Sequence, residues 1–412
     1  MAAQTEKTSA RPGTHLRRNW LFYLWLVLLA GLFLLGIYGY YLDRTYELAN
    51  ISNQVPWGIG IVIDVSAIAI AAGAFVLVAL TYLLGRDEYR PLTRVAILVG
   101  IIGYSSAGLA LLSDLGRPDR FWHILVHLND RSILSVVAWC LLIFTTVLLL
   151  QLLPILRDAE WARRLPILGP VAHLIERIMP LLVLVGALFS LTHQGAAGAT
   201  FGVVKARAVW YRPTLPIVFT ASAIFGGLGF ILMMVAVTER IMRMRRRLVH
   251  REVLVKVARM AGAVGIVILV VRLWEQLFID YYSPQLYFAQ QTAVLGARTP
   301  YTLGMIVGEF ILGTVLPVIV FLSPQAPYRA RNLILGGALA TLGLLVNRWD
   351  TTLSGLVASV TYTPGASEVI FNPYFPSYTE WLIALGILAF ALLAYSLGVR
   401  ILPIFQPSPE ET

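Results

Sequence analysis

A chain of 412 residues that is 58% hydrophobic and only 13% charged has too much apolar surface for a water-soluble fold, in which roughly a quarter of residues are charged. The formal net charge of +10 does not imply nucleic acid as a partner, because the basic residues alternate between successive loops in the positive-inside pattern of a membrane protein. The composition describes an all-α membrane protein whose partner is lipid.

A bilayer core takes about 20 apolar residues per helix. Such runs start near Trp20, Gly58, Leu92, Ile133, Val171, Leu215, Leu254, Leu303, Asn332 and Trp381. They predict about ten transmembrane helices, forming one domain over 20–402 between an N-terminal tail, 1–19, and a C-terminal tail, 403–412. Arg11, Arg17 and Arg18 precede the first run and no small-residue cleavage site follows it, so that run reads as a retained helix rather than a signal peptide. Lys and Arg number 20 in the segments on the side of both termini and nine in the others, which predicts that both tails are cytoplasmic. The long connections, roughly 114–132, 192–213, 280–302 and 347–378, then all lie outside. They exceed simple turns and are rich in Trp, Tyr, Pro and Gly, so the outer face is where a ligand or a partner is expected.

Cysteine and histidine limit the chemistry. Cys140 is the single cysteine and by itself supplies neither the four ligands of an iron–sulfur cluster nor an internal disulfide. His15 and His250 fall in cytoplasmic segments, His123, His127 and His193 at or near the outer surface, and His173 at the start of the fifth helix. No histidines face one another at membrane depth as a haem between helices requires. His123 and His127, four apart, read as an ordinary interfacial pair rather than a metal site.

Ionisable residues at membrane depth are functional candidates by default, because each costs a few kcal/mol or more to place there. Asp64 lies about seven residues into the second helix, roughly 10 Å below the outer surface. Arg272 and Glu275 share one face near the outer end of the seventh helix and can pair. Glu309 enters the eighth to a similar depth, Arg348 and Asp350 close the ninth, and Asp114, Arg117, His193 and Gln194 occupy neighbouring loop edges. Topology thus predicts one polar pocket in the outer third of the membrane. Arg272 with Glu275, and Arg348 with Asp350, also fit a plainer role as neutralising pairs, whereas Asp64 and Glu309 have no obvious local partner. Gly100, Gly103 and Gly108 are expected to let helices approach closely.

These residues carry a resemblance. Pro56-Trp-Gly58 with Asp64 and Gly73, Tyr89-Arg-Pro-Leu92, Gly103-Tyr104, Asp114-Leu-Gly-Arg117, Thr192-His-Gln-Gly195, Trp210-Tyr211, Leu215-Pro216, Arg272 with Glu275, Glu309, Asn347-Arg348, Phe375-Pro376 and Glu380-Trp381 follow in the order seen in the NrfD/polysulphide reductase (PsrC-like) family. The chain is similar to that family along nearly its whole length, and in particular to the ten-helix HybB-like branch found with a periplasmic hydrogenase. The resemblance implies NrfD-like helical bundles in a prokaryotic inner membrane and a role in respiratory or photosynthetic electron transfer. It also implies a bound quinone, menaquinone or ubiquinone, and no haem or iron–sulfur cluster in this chain.

The implied partner is an extracytoplasmic iron–sulfur protein, with a hydrogenase-type or molybdopterin-type catalytic subunit or the components of an alternative complex III. Such a quinone-reactive subunit needs proton carriers and groups that orient the ring. On the resemblance, Asp64, His193, Glu275 and Glu309 carry protons, while Arg272, Asp114, Arg117, Gln194 and Arg348 bind. Trp57 and Trp274 flank the ring or serve as interfacial anchors, the anchor role being the more ordinary. Two departures, Gly195-Ala-Ala-Gly198 and Asp119-Arg-Phe-Trp122, leave the partner's identity open. A proton-coupled transporter is the competing class and predicts inverted repeats with broken helices at the midplane; a structural anchor without a quinone site is the other.

Overall fold

The computed structural model describes residues 20–127, 129–204, 207, 210–241, 248–282, 303–363 and 366–405. Ten helices among them are long and apolar enough to cross a membrane, as the hydrophobic runs predict. They are α1 (Trp20–Tyr46), α2 (Ile59–Tyr82), α3 (Arg90–Asp114), α4 (Ile133–Arg157), α5 (Met179–Gly202), α6 (Leu215–Ile241), α7 (Arg251–Tyr282), α8 (Gly304–Leu322), α9 (Ala330–Val357) and α10 (Tyr378–Ile401). The tail 1–19 and residues 406–412 lie outside the described residues, as does most of the predicted 280–302 connection.

Helices α2–α5 pack as one four-helix unit and α6–α9 as a second, joined along α2 and α6. The joint depends on missing side chains: a Cβ on Gly227 would stand 2.6 Å from the Gly73 Cα, so the two backbones touch, as small residues permit between membrane helices. Across the joint α5 also meets α6, and α9 meets α2, so the contacts of one unit are mirrored in the other. Each unit makes four passes, and α2 and α6 therefore run in the same direction. The two units are thus alike in their helix contacts and run in the same direction, not inverted. Helices α1 and α10 pair outside both units through Gly36 and Gly386 and lean on α3.

Three boundaries differ from expectation. The fifth span begins at Met179 rather than Val171, because Leu168–Arg177 forms a separate short helix whose His173, Glu176 and Arg177 suit an interface rather than a lipid core. The same span runs on to Gly202, so His193 and Gln194 stand inside a helix and not on a loop edge. Gly198 and Gly202 do not break that helix; they bring it against the backbone of Leu215 and Arg212. Helix α9 likewise continues past Arg348 and Asp350 to Val357, placing both within the span.

The chain also departs from an all-helical fold. After α9, β1 (Ala358–Thr363) and β2 (Ala366–Phe371) pair antiparallel, with Ala358 opposite Phe371 and Thr363 opposite Ala366; their β-branched and aromatic residues favour a pleated strand. Of the three glycines expected at close helix contacts, Gly100 abuts Leu148 and Gly103 abuts the Ala67 carbonyl, but nothing lies within 4 Å of a Cβ placed on Gly108.

At the opposite end of the bundle Arg157 holds Glu176 with two bonds of 2.8 Å and Asp158 at 2.9 Å. Arg94 meets Asp158 at 2.5 Å and the Pro403 carbonyl at 2.9 Å. The Arg157 guanidinium keeps the Glu176 carboxyl below the usual carboxylate range.

Candidate functional site

The predicted single pocket is two polar clusters, one in each four-helix unit. The first lies among α2, α3 and α5. Asp64 is the sixth residue of α2 and His193 the fifteenth of α5, so each sits roughly 7–14 Å from the nearer end of its helix at 1.5 Å per residue. Asp64 is 9% exposed, His193 1% and Gln194 0%. The Tyr104 hydroxyl on α3 lies 2.9 Å from His193 Nδ1 and fixes the imidazole, leaving Nε2 to face the interior.

The uncharged and acidic groups of this cluster leave much hydrogen-bonding capacity unfilled. His193 Nε2, both side-chain heteroatoms of Gln194, Asp64 Oδ1 and Ser106 Oγ are buried with no hydrogen-bond partner. Buried polar atoms are nearly always paired, and each one left unpaired costs about 1–3 kcal/mol. These atoms have unused capacity to bond a polar ligand or water. Gly108, one turn along α3 from Tyr104, borders open space.

Toward the outer surface the cluster continues into acids. The Asp114 carboxyl fills the space where a side chain on Gly60 would stand, and Glu380 with Tyr374 fills that of Gly58, so both carboxylates abut the first turn of α2, where a helix favours negative charge. Glu380 is fully engaged: it accepts from Tyr374 at 2.5 Å, Asn50 N at 3.0 Å and Ser377 N at 2.9 Å, and completes the capping box that starts α10. The Tyr374 hydroxyl in turn accepts from Ile59 N at 3.0 Å. Burial, with Glu380 beside it, pushes the Tyr374 phenol up, so it remains a donor.

The second cluster lies among α6–α9 and is largely paired within itself, with Arg212 Nε, Arg348 Nε and Asp350 Oδ2 left without a hydrogen-bond partner. Arg272 bonds Glu309, and Glu275 at 3.3 Å; Glu309 also accepts from Asn347 Nδ2 at 3.0 Å, and Asn347 Oδ1 accepts from Arg348 at 2.5 Å. Arg348 is 0% exposed, donates to the Phe219 carbonyl at 2.9 Å and stacks 3.7 Å from the Phe219 ring centroid. Glu275 takes a further bond from Thr214 at 2.5 Å and faces Arg212 at 3.9 Å. Three arginines thus face three acids, Asp350 being the third. Glu309, with no obvious local partner in the sequence, finds two on other helices, Arg272 and Asn347; α8 winds with wide turns over Gly304–Val315, as helices often do at functional sites. A cavity of about 280 Å³, counting its open mouth, lies beside Glu309 and Asn347 and is lined otherwise by Ser222, Thr314 and apolar residues.

An aromatic wall runs between the clusters. Trp57 stacks on Trp210 at 5.7 Å and meets Phe201 edge-on at 5.8 Å, while Phe201 reaches Phe219 at 5.9 Å. Trp57 therefore borders both units. Trp274 is 60% exposed, on the outside of the bundle, where an anchor belongs. Arg117 is exposed and pairs with Asp119 at 3.4 Å, away from both clusters. The sequence reading assigned no role to Tyr104, Asn347 or Glu380, although each stands in a stretch it singled out; only the fold shows what they touch.

Comparisons with known proteins agree with this architecture. The family model described as polysulphide reductase, NrfD, matches residues 47–358. The chain is 28% identical over 403 residues to the menaquinone reductase integral membrane subunit of Nitratidesulfovibrio vulgaris, covering 94% of this chain and 93% of the relative. It is 26% identical to the Hdr-like menaquinol oxidoreductase integral membrane subunit of Archaeoglobus fulgidus, covering 91% and 92%. It is 25% identical to the probable Ni/Fe-hydrogenase 2 b-type cytochrome subunit of Escherichia coli, covering 88% and 86%.

Proposed function

The chain belongs to the polysulphide reductase NrfD family, and from that premise we propose that it is the quinone-reactive membrane subunit of a multi-subunit oxidoreductase. The cluster of Asp64, Tyr104, His193 and Gln194 is the quinone site. The observation that carries this reading is the group of buried, partnerless polar atoms on Asp64, His193 and Gln194. A quinone has two ring oxygens to be bonded and an apolar ring and tail, which fits these groups beside the open space at Gly108.

When bound, the quinone supplies the exchange of two electrons and two protons. His193 Nε2 and the Gln194 amide bind the ring oxygens, Tyr104 holds the imidazole in place, and Asp64 takes up or gives the proton. The relatives named for menaquinone or menaquinol support menaquinone as the species. The cavity beside Glu309 is the rival location, but the polar side chains that line it, Glu309, Asn347, Ser222 and Thr314, each already hold a hydrogen bond. The second cluster is read here as an electrostatic lock on α6–α9.

In this reading an iron–sulfur protein docks on the outer face and connects the site to a catalytic subunit. Both tails are cytoplasmic, as the basic loops require. The experiment is direct: the purified complex is extracted and its quinone measured, with Asp64→Asn and His193→Ala alongside. Quinone present in the parent and lost or unreactive in the variants is expected. A complex that turns over while never holding quinone would leave only an anchor or a transporter.

A further inference from the structure

Resting on that assignment of the site, we propose that protons travel between it and the outer surface along a carboxylate relay, from Asp64 through Asp114 to Asp43, which the outlying helix α1 completes. Asp43 has had no role so far, and α1 is not part of either four-helix unit.

The geometry begins at Asp64. Gly60 lies four residues earlier, one turn outward on the same face of α2 and about 6 Å higher, and the Asp114 carboxyl occupies its side-chain space. Asp114 interacts electrostatically with Asp64 on one side and with Asp43 on the other. Asp43, half-buried at the outer end of α1, is the exit.

Each of the three keeps one buried carboxylate oxygen without a hydrogen-bond partner: Asp64 Oδ1, Asp114 Oδ2 and Asp43 Oδ1. Such oxygens are free to take a proton directly or through water, which buried polar groups hold where space allows. The neighbouring Glu380 contrasts with them, because three donors occupy it; it is a fixed charge that positions the relay, not a carrier. The nearest cation, Arg44, is committed to the carbonyls of Ser113 and Leu115 at the end of α3. At the inner end of the line stand the fully buried, partnerless His193 Nε2 and Gln194 amide, the groups that face the ligand.

In the other direction the packing next to the site is apolar. Beneath the site Tyr104 packs on Phe144 at 4.7 Å and Phe144 on Phe75 at 4.9 Å, with Leu148 and Val147 filling the space against Gly100 and Gly186. Two protons accompany every two electrons passed to or from the outer iron–sulfur partner, and the polar way for them is outward.

The test uses the whole complex in liposomes, with quinone content, turnover, solvent isotope effect and redox-difference infrared spectra measured together. Asp43→Asn is expected to retain quinone, to slow turnover about tenfold or more, to raise the isotope effect and to alter the carboxyl C=O band. Asp43→Glu, or formate supplied from outside to Asp43→Asn, restores the rate. Unchanged turnover, isotope effect and infrared band in Asp43→Asn, while Asp64→Asn has lost turnover, overturns the relay and leaves the site standing. Loss of quinone in Asp43→Asn that neither Asp43→Glu nor formate repairs makes the residue structural, which also overturns the relay. A parent complex without quinone removes the site itself.

Discussion

Asp64 and Glu309 are both acids within membrane-spanning helices, yet neutralising them is expected to have opposite consequences for the fold. Glu309→Gln removes the carboxylate that bonds Arg272 and receives Asn347 at 3.0 Å, and Asn347 in turn bonds Arg348, which is 0% exposed. Arg272 retains only Glu275 at 3.3 Å, and one buried positive charge is left without compensation. Breaking one side of a buried ion pair costs about 3–5 kcal/mol, which is roughly two to more than three orders of magnitude in the folded ratio.

Asp64→Asn removes no hydrogen bond to its orphaned oxygen and relieves the burial of a charge, so its effect on stability is expected within about 1 kcal/mol. Turnover should fall in Asp64→Asn while the protein remains as stable as the parent. The assay is thermal unfolding of detergent-solubilised complex followed by tryptophan fluorescence, run beside quinone-linked turnover. Replacing Arg272 and Glu309 together by Met and Leu should recover much of the loss, since a well-packed apolar pair often equals a buried ion pair. The reasoning is refuted if Glu309→Gln is as stable as the parent, or if Asp64→Asn is the variant that unfolds.

Three further outcomes are expected. A Cβ on Gly108 meets no atom within 4 Å, so Gly108→Leu should leave stability nearly intact while filling the open space beside Tyr104 and raising the KM for quinone; an unchanged KM would place the entrance elsewhere. Gly73→Ala drives a methyl group into the α6 backbone at Ala223 and Gly227, and should destabilise by about 1–3 kcal/mol as overpacking does, read as a lower unfolding temperature. The Glu176 carboxyl is held below its ordinary value by Arg157, so its contribution to stability is full above the usual carboxylate range near pH 4.3 and is lost as pH falls through its depressed value. Arg157→Gln should therefore flatten the acid limb of the stability profile below about pH 4.

The number of spans and the presence of buried acids were legible in the sequence, because both depend on local properties. Apolar runs of membrane length are contiguous, and an ionisable residue inside one stands out against it. The boundaries that failed, at α5 and α9, failed where small or polar residues sit inside helices: Gly195 and Gly198 resemble a loop, and Asn347 with Arg348 resembles a helix end. Whether a glycine ends a helix or lets two helices touch depends on what lies opposite, and Leu215 and Pro216 opposite Gly198 are not neighbours in the chain.

The sequence by itself determined a ten-helix membrane protein with its ionisable groups toward one side, since the bilayer acts on each segment separately. Only the tertiary structure decided that those groups form two clusters rather than one. Arg272, Glu309 and Asn347 satisfy one another across three helices, whereas Asp64, His193 and Gln194 are brought together and left unsatisfied. The physical reason is that hydrogen-bond satisfaction is a property of pairs. A sequence shows which groups need a partner, and only packing shows which of them lack one.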